Sequence, residues 1–305
     1  MVDRYLGYRS TIYSREMLFG AHVSSSGGIW NAIDRGEEIG CDAVQVFTQS
    51  PRMWRPTAHA EEALARFRER RAEVGIGAVV CHALYLVNLA SPDPEIYGKS
   101  IAALRATLEV AAAIESEGVI FHAGSHLGSG FEAGLERVVP ALRELLELTT
   151  ERTWLLMENS AGAGGTIGRS TDELAAIYDA LDGHPRLGVC VDSCHWYVSG
   201  VDVTDPEVLD AALADVDARI GLDRVRALHV NDSAGELGSN RDRHASIGDG
   251  LLGEGLGVFL AHPAFADLPA ILETPGPDGH GPDAEEVGRL RALHARATSD
   301  TAPTV

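Results

Sequence analysis

The sequence predicts an α/β fold, a single (β/α)8 TIM barrel, on three observations. Short apolar runs rich in β-branched residues alternate with longer segments of helical period. There are eight such runs, the number that closes a parallel barrel in which each strand is followed by a helix. Seven of the eight end in an imidazole or a carboxylate, and a barrel gathers those ends on one face around one cavity.

Taken in order, MLFGAHVS (17–24) carries His22 near its end. AVQVFT (43–48) is the exception, with no metal-capable end, and leads to the helical segment AEEALARFRERRAEV (60–74). GAVVCHA (77–83) carries His82 and precedes IAALRATLEVAAAIESEG (101–118), also of helical period. GVIFHAG (118–124) presents His122, TWLLMEN (153–159) presents Glu158 and LGVCVDS (187–193) presents Asp192. VRALHVND (225–232) and AILET (270–274) end with His229 and Glu273. No linker interrupts the units, so residues 17–296 read as one catalytic domain. Residues 1–16 read as an N-terminal extension, an accessory segment or an early start with no need of order, and 297–305 as a small, polar, frayed tail.

The chain has 305 residues, 45% of them hydrophobic, enough for one large core. No apolar run spans a bilayer and no signal peptide opens the chain, so the expectation is a cytoplasmic protein without a membrane partner. Cys41, Cys81, Cys190 and Cys194 then read as reduced thiols. Cys190 and Cys194 lack the second cysteine pair of a zinc knuckle. The formal charge of −20, with Lys99 the single lysine, argues against general coating of nucleic acid but allows a local arginine patch. It also fits a protein that holds several cations.

Imidazoles and carboxylates without thiolates suit Zn, Mn or Fe. Strand alternation points Asp192 and Cys190 to one face and Val189 and Val191 to the other. His195 is expected in the loop beyond, able to swing to a different ion. In RDRHASIG (241–248), Asp242 and His244 are two apart and point the same way if extended, a pair that His195 would complete. His126 lies four beyond His122, but Gly124 argues against the helix that such a zinc pair needs. His22 reads either as a hydrogen-bonded strand-end residue or as a ligand. The glycine-rich ENSAGAGGTIG (158–168) lacks a Walker lysine and reads as a flexible loop.

The motifs GAHVSSSGG, FTQSPRMW, HALYLVNLAS, FHAGSH, MENSAG, CVDSCHWYVSG, HVNDS, GSNRDRHASIG and ILET run in this order from about Met17 to beyond Glu273. In sequence and spacing they resemble endonuclease IV, the metal-dependent apurinic/apyrimidinic endonucleases. The resemblance implies a xylose-isomerase-like barrel with DNA-recognition loops at its C-terminal face. It implies three Zn2+ per chain, with Mn2+ or Fe2+ an alternative in some sites. His82, His122 and Glu158 would take the first, Glu158, Asp192, His229 and Glu273 the second, and His195, Asp242 and His244 the third. Glu158 would be catalytic, bridging two ions and orienting the attacking water. The implied substrate is double-stranded DNA, cut 5′ to an abasic site to leave a 3′-hydroxyl and a 5′-deoxyribose phosphate, with trimming of blocked 3′ ends. Arg52, Tyr85 and Leu86 match the residues that fill the gap left by the flipped nucleotide. Read by themselves, the first is a solvated loop arginine and Tyr85 a core aromatic. A monomer is expected. The chain departs from the family where a lysine is often found near Ala234 and where Leu84 replaces a common proline.

Two other readings use the same barrel. A sugar isomerase or epimerase would hold one or two ions and need neither the Asp242/His244 pair nor inserting loops. A DNA-damage binder that no longer cuts would have little use for an intact ligand set.

Overall fold

The eight runs form eight parallel strands that close on themselves. The computed structural model describes residues 16–300. Its strands are β1 (Leu18–His22), β2 (Ala43–Phe47), β3 (Ala78–His82), β4 (Gly118–Phe121), β5 (Trp154–Glu158), β6 (Leu187–Asp192) and β7 (Val225–His229). A small hairpin of β8 (Asp232–Ser233) and β9 (His244–Ala245) comes next, and β10 (Pro269–Leu272) completes the barrel. The order around the barrel is β1-β10-β7-β6-β5-β4-β3-β2.

The helices are α1 (Asn31–Glu38), α2 (Glu61–Val74), α3 (Pro94–Ala113), α4 (Phe131–Leu146), α5 (Thr171–Ala180), α6 (Ser193–Ser199), α7 (Pro206–Arg219), α8 (Leu256–Leu260) and α9 (Ala284–Asp300). Local chemistry sets their ends. The third begins before the periodic segment because Asp93 caps it, accepting from the amides of Glu95 and Ile96, with Pro94 in the first turn. The second stops at Gly75, in the left-handed region at φ 77°. The last helix reaches Asp300, so the tail expected to fray from residue 297 continues the helix for its first four residues. Residues 1–15 of the expected extension, and 301–305, lie outside the described residues.

Strand alternation builds the inside of the barrel in two layers. Ala43, Val80, Ile120, Leu156, Cys190, Ala227 and Ile271 pack together as an apolar floor. Gly20 stands at the remaining position, where an added Cβ would collide with the carbonyl of Ala43. Two residues further along every strand, the same inward direction brings His22, Gln45, His82, His122, Glu158, Asp192, His229 and Glu273. Val189 and Val191 face the other way, into the core between strands and helices.

The opposite, N-terminal end is closed by charge. Glu117 is buried there, accepting from Arg71 and Arg152 through Oε1 at 2.7 Å each and from the Val79 amide through Oε2 at 2.7 Å. Arg71 spends its other donors on the carbonyls of Ile76, Gly77 and Glu115.

Between β7 and β10 the chain makes a long excursion. It leaves through Asp232, which pairs with Ala245 across the hairpin. The fully buried Asp232 carboxylate gathers the amides of Ser233, Gly248, Gly250, Leu252 and Gly253 at 2.8–3.1 Å. A Cβ at Gly250 would strike that carboxylate, so only glycine lets the backbone come so close.

Candidate metal centre

Each inward side chain of the upper layer except Gln45, which stands mid-strand in β2, sits at the last position of its strand or just beyond it. Glu158 is central. Its Oε2 lies 3.2 Å from both His82 Nε2 and His122 Nε2. Its Oε1 lies 3.0 Å from His229 Nδ1 and 3.1 Å from His195 Nδ1. His229 Nδ1 is also 3.0 Å from Glu273 Oε2 and 3.9 Å from Asp192 Oδ2. Two sets of converging donor atoms result: His82, His122 and Glu158, and Glu158, Asp192, His229 and Glu273, each spanning no more than 4.8 Å.

The third group is arranged differently from the expectation. His195 is not in a loop but in the first turn of α6, whose N-cap is Asp192; the His195 amide donates to Asp192 Oδ1 at 2.6 Å. Its Nε2 faces Asp242 Oδ2 at 3.3 Å, and His244 Nε2 faces Asp242 Oδ1 at 3.3 Å. Asp192 also reaches toward this group, 3.7 Å from His195 Nδ1 and 3.7 Å from His244 Nε2, and joins them in a compact donor set. The strand carboxylate and the two imidazoles are therefore less separated than strand and loop positions suggest. Cys194 Sγ comes near Asp242 and His244 as well, but burial pushes its thiol up to about 12, which keeps it protonated. All four cysteines are free and buried.

These donors fit a zinc-type dication. Two ligands bound at about 2.0–2.1 Å with a tetrahedral angle stand about 3.4 Å apart, close to most of the separations above. His244 Nε2 is buried without a hydrogen-bond partner, as expected of a nitrogen whose lone pair serves an ion. Backbone carbonyls choose the free nitrogen of three histidines, because a carbonyl only accepts. His82 Nδ1 donates to Ala83, His195 Nδ1 to Asn159 and His244 Nδ1 to Glu273 at 2.7, 3.0 and 3.4 Å. In each case Nε2 is left to face the cluster.

Sequence reasoning missed the polar residues that hold the ligands. Gln45, on the strand set aside as the exception, is fully buried and touches His22, His229 and Glu273. Asn231 donates to Asp192 Oδ2 at 2.6 Å and accepts from the Glu273 amide. Asn159 clasps the Asp192 backbone through both ends of its amide. A glutamine inside the apolar run AVQVF was the available signal. His22 contacts Gln45 and Glu273 and belongs to none of the donor sets. His126 accepts from the amides of Gly128 and Gly130 within its own loop.

Buried carboxylates and imidazoles set one another's charge here. Burial works against ionised Glu158, yet the charges of His122 and His229 and hydrogen bonds from His195 and His229 hold its carboxyl well below the usual range. Against the same burial, a hydrogen bond from His195 helps bring Asp242 to about 2. Burial disfavours charged His195 and His229, but Asp192, Asp242 and Glu158 raise the first, and Cys190, Glu273 and Glu158 raise the second, well above an ordinary imidazole.

The layer opens into a cleft of about 1280 Å³ whose walls include Ser24–Gly28, Thr48–Pro51, Tyr85, Arg243 and His280. Tyr85 is no core aromatic. It is 62% exposed and stands edge-on to Phe47 at 5.1 Å, on the rim. Leu86 beside it is half-buried, and Arg52 is exposed on the turn after β2. Arg52, Arg55, Arg241 and Arg243 are exposed and form no ion pair among the described residues, while Arg169 lies 4.0 Å from Glu173. No helix among the described residues is long and apolar enough to cross a membrane.

Residues 33–293 match a family described as xylose isomerase-like TIM barrel. The chain is 41% identical over 277 residues to a probable endonuclease 4 of Chloroflexus aggregans, covering 90% of this chain and 97% of that one. The crystal structure of endonuclease IV from Thermus thermophilus superposes with a TM-score of 0.79 at 36% identity, over 93% of this chain and all of that one. A D-tagatose 3-epimerase-like protein shares the fold, with a TM-score of 0.71 at 20% identity over 94% of this chain and 100% of that one.

Proposed function

The chain belongs to the endonuclease IV family of metal-dependent hydrolases, and we propose that it hydrolyses the DNA phosphodiester 5′ to an abasic site and trims blocked 3′ ends. The observation that carries the reading is the convergence of nine side chains, His82, His122, Glu158, Asp192, His195, His229, Asp242, His244 and Glu273, into donor sets beneath one cleft. On this reading they hold three zinc ions, with Glu158 shared between the first two.

Bound dications would supply Lewis acidity, polarising the phosphodiester and making a water nucleophilic at neutral pH. The chain's own side chains do the rest. Arg52, Arg55, Arg241 and Arg243 offer unpaired charge to the phosphate backbone on an otherwise acidic body. Tyr85 and Leu86, with Arg52, fill the gap in the duplex, and the cleft takes the flipped sugar, a cheap distortion where no base must be unstacked. Glu158 holds the attacking water in line with phosphorus. Water oxygen bonds to phosphorus as the P–O3′ bond breaks, giving a 3′-hydroxyl and a 5′-deoxyribose phosphate. The His195, Asp242 and His244 group lies where the leaving oxygen would gather charge.

The test is His244→Ala. The variant is expected to carry two ions in place of three, to bind abasic duplex with modest loss and to lose single-turnover incision by about 10²-fold, the effect of ~3 kcal/mol of lost transition-state stabilisation. Three ions retained, or native incision with two, would remove the assignment. Absence of incision by the native, metal-loaded protein would sink the function.

A further inference from the structure

We infer that Gln45 is the positioning residue of the donor set formed by Glu158, Asp192, His229 and Glu273, fixing which nitrogen of His229 and which oxygen of Glu273 meet the ion. This rests on the metal site proposed above. Gln45 comes from β2, which like β1 carries none of the nine ligands, yet its side chain occupies the same inward layer as the ligands.

The partners settle the orientation of the amide. A carboxylate oxygen only accepts, so the group 2.5 Å from Glu273 Oε1 is the Gln45 NH2. Its second N–H points at His22 Nδ1, 2.9 Å away. The Gln45 carbonyl oxygen then faces His229 Nε2 at 2.7 Å, and that oxygen can only accept. The proton that His229 keeps when it binds a metal therefore sits on Nε2, and Nδ1, 3.0 Å from both Glu158 Oε1 and Glu273 Oε2, is the nitrogen that gives up its proton to the ion. Glu273 is oriented in the same stroke. Its Oε1 is held by the amide, and Oε2 is left for the ion.

The other fixed histidines contrast with this one. His82, His195 and His244 are turned by backbone carbonyls, which no substitution removes, and present Nε2. His229 is turned by a side chain and presents Nδ1. A residue at this position must accept from an imidazole and donate to a carboxylate at once. Leucine does neither, and glutamate would set two carboxylates against each other. A glutamine that merely filled the barrel would not need these two contacts.

The experiment uses the whole protein loaded with NMR-active cadmium and labelled at histidine nitrogens. His229 is expected to couple to the metal through Nδ1 and to carry a slowly exchanging proton on Nε2. Coupling through Nε2 overturns the inference while leaving the metal site standing. Absence of metal from this set overturns both. In Gln45→Leu, one ion of three should become ~10–100-fold weaker against a chelator, the usual effect of losing a partner behind a ligand, and the Nε2 proton should exchange with solvent. In Gln45→Glu, which keeps the acceptor, that proton should persist. Equal behaviour of the two variants toward the proton, or native chelator resistance in Gln45→Leu, would reduce Gln45 to packing.

Discussion

Glu117 and Glu158 are two glutamates buried to the same degree at opposite ends of one barrel. Glu117 meets two guanidiniums and a backbone amide, all donors whatever the pH, and every contact is complete. Glu158 meets four imidazoles, which hold either a proton or a lone pair. The first carboxylate is satisfied by the fold alone. The second is satisfied only when something positive arrives, a proton or a metal. Burial is the same; the titratability of the neighbours separates a brace from a binding site.

Glu117→Gln should break the brace with the largest effect on stability. Removing one partner of a buried pair strands the other and costs about 3–5 kcal/mol. The half-exposed Arg152 arm contributes little of this. Chemical denaturation of the metal-loaded protein reads it, and incision per folded molecule should stay native. If stability survives, the contrast between the two ends fails.

Glu158→Gln should do the reverse. The variant is expected to fold, to hold metal poorly and to lose at least about 10²-fold in incision, ~3 kcal/mol. Near-native turnover with full metal content would show that the shared carboxylate is dispensable.

Acidity sharpens the same comparison. His195 and His229 titrate well above an ordinary imidazole in the metal-free protein, burial opposing the shift, Asp192 and its neighbouring carboxylates driving it at His195, and Cys190 with Glu273 and Glu158 driving it at His229. Their ion pairs stabilise the metal-free fold fully below about 6.5 and are lost as pH rises through the raised values. Metal must displace those protons, so the gain in Tm on loading should grow from about pH 6 to pH 9. A gain independent of pH would mean that the imidazoles enter the metal-free state already neutral.

The smallest effect belongs to the rim. Tyr85→Ala should weaken binding to abasic duplex by about 1–2 kcal/mol, as for loss of one stacked aromatic, and leave intact duplex nearly unchanged. Equal loss on both would make Tyr85 an ordinary contact.

Much of this was legible because the barrel repeats a simple rule. An apolar run that closes on an imidazole or a carboxylate, seven times in eight, told where the strands stop, and the ends of the runs lie within three residues of the strand ends. His82, His122, Glu158, Asp192, His229 and Glu273 were readable one by one because a polar side chain at an inward strand end has few other uses. His195 was misplaced because Asp192 serves twice, as strand terminus and as helix N-cap, which folds the following residues into α6. Asn159 and Asn231 carried no signal, and the role of Gln45 could not be read from its odd place in an apolar run, because an amide carries no chemistry of its own; its meaning comes from residues as far as 228 positions away. The exposure of Tyr85 likewise depends on how two loops meet.

The clasp at Asp232 has a consequence for how such a site could be assembled. By gathering five amides from its own downstream turn, this carboxylate folds the far part of the excursion onto itself, while the carbonyls of Tyr197 and Val198 in α6 hold the near part through the amides of Gly238 and Asn240. Asp242 and His244 therefore ride on a loop spliced to the same helix that carries His195. Moving the pair onto another barrel of this shape would mean moving α6 with it.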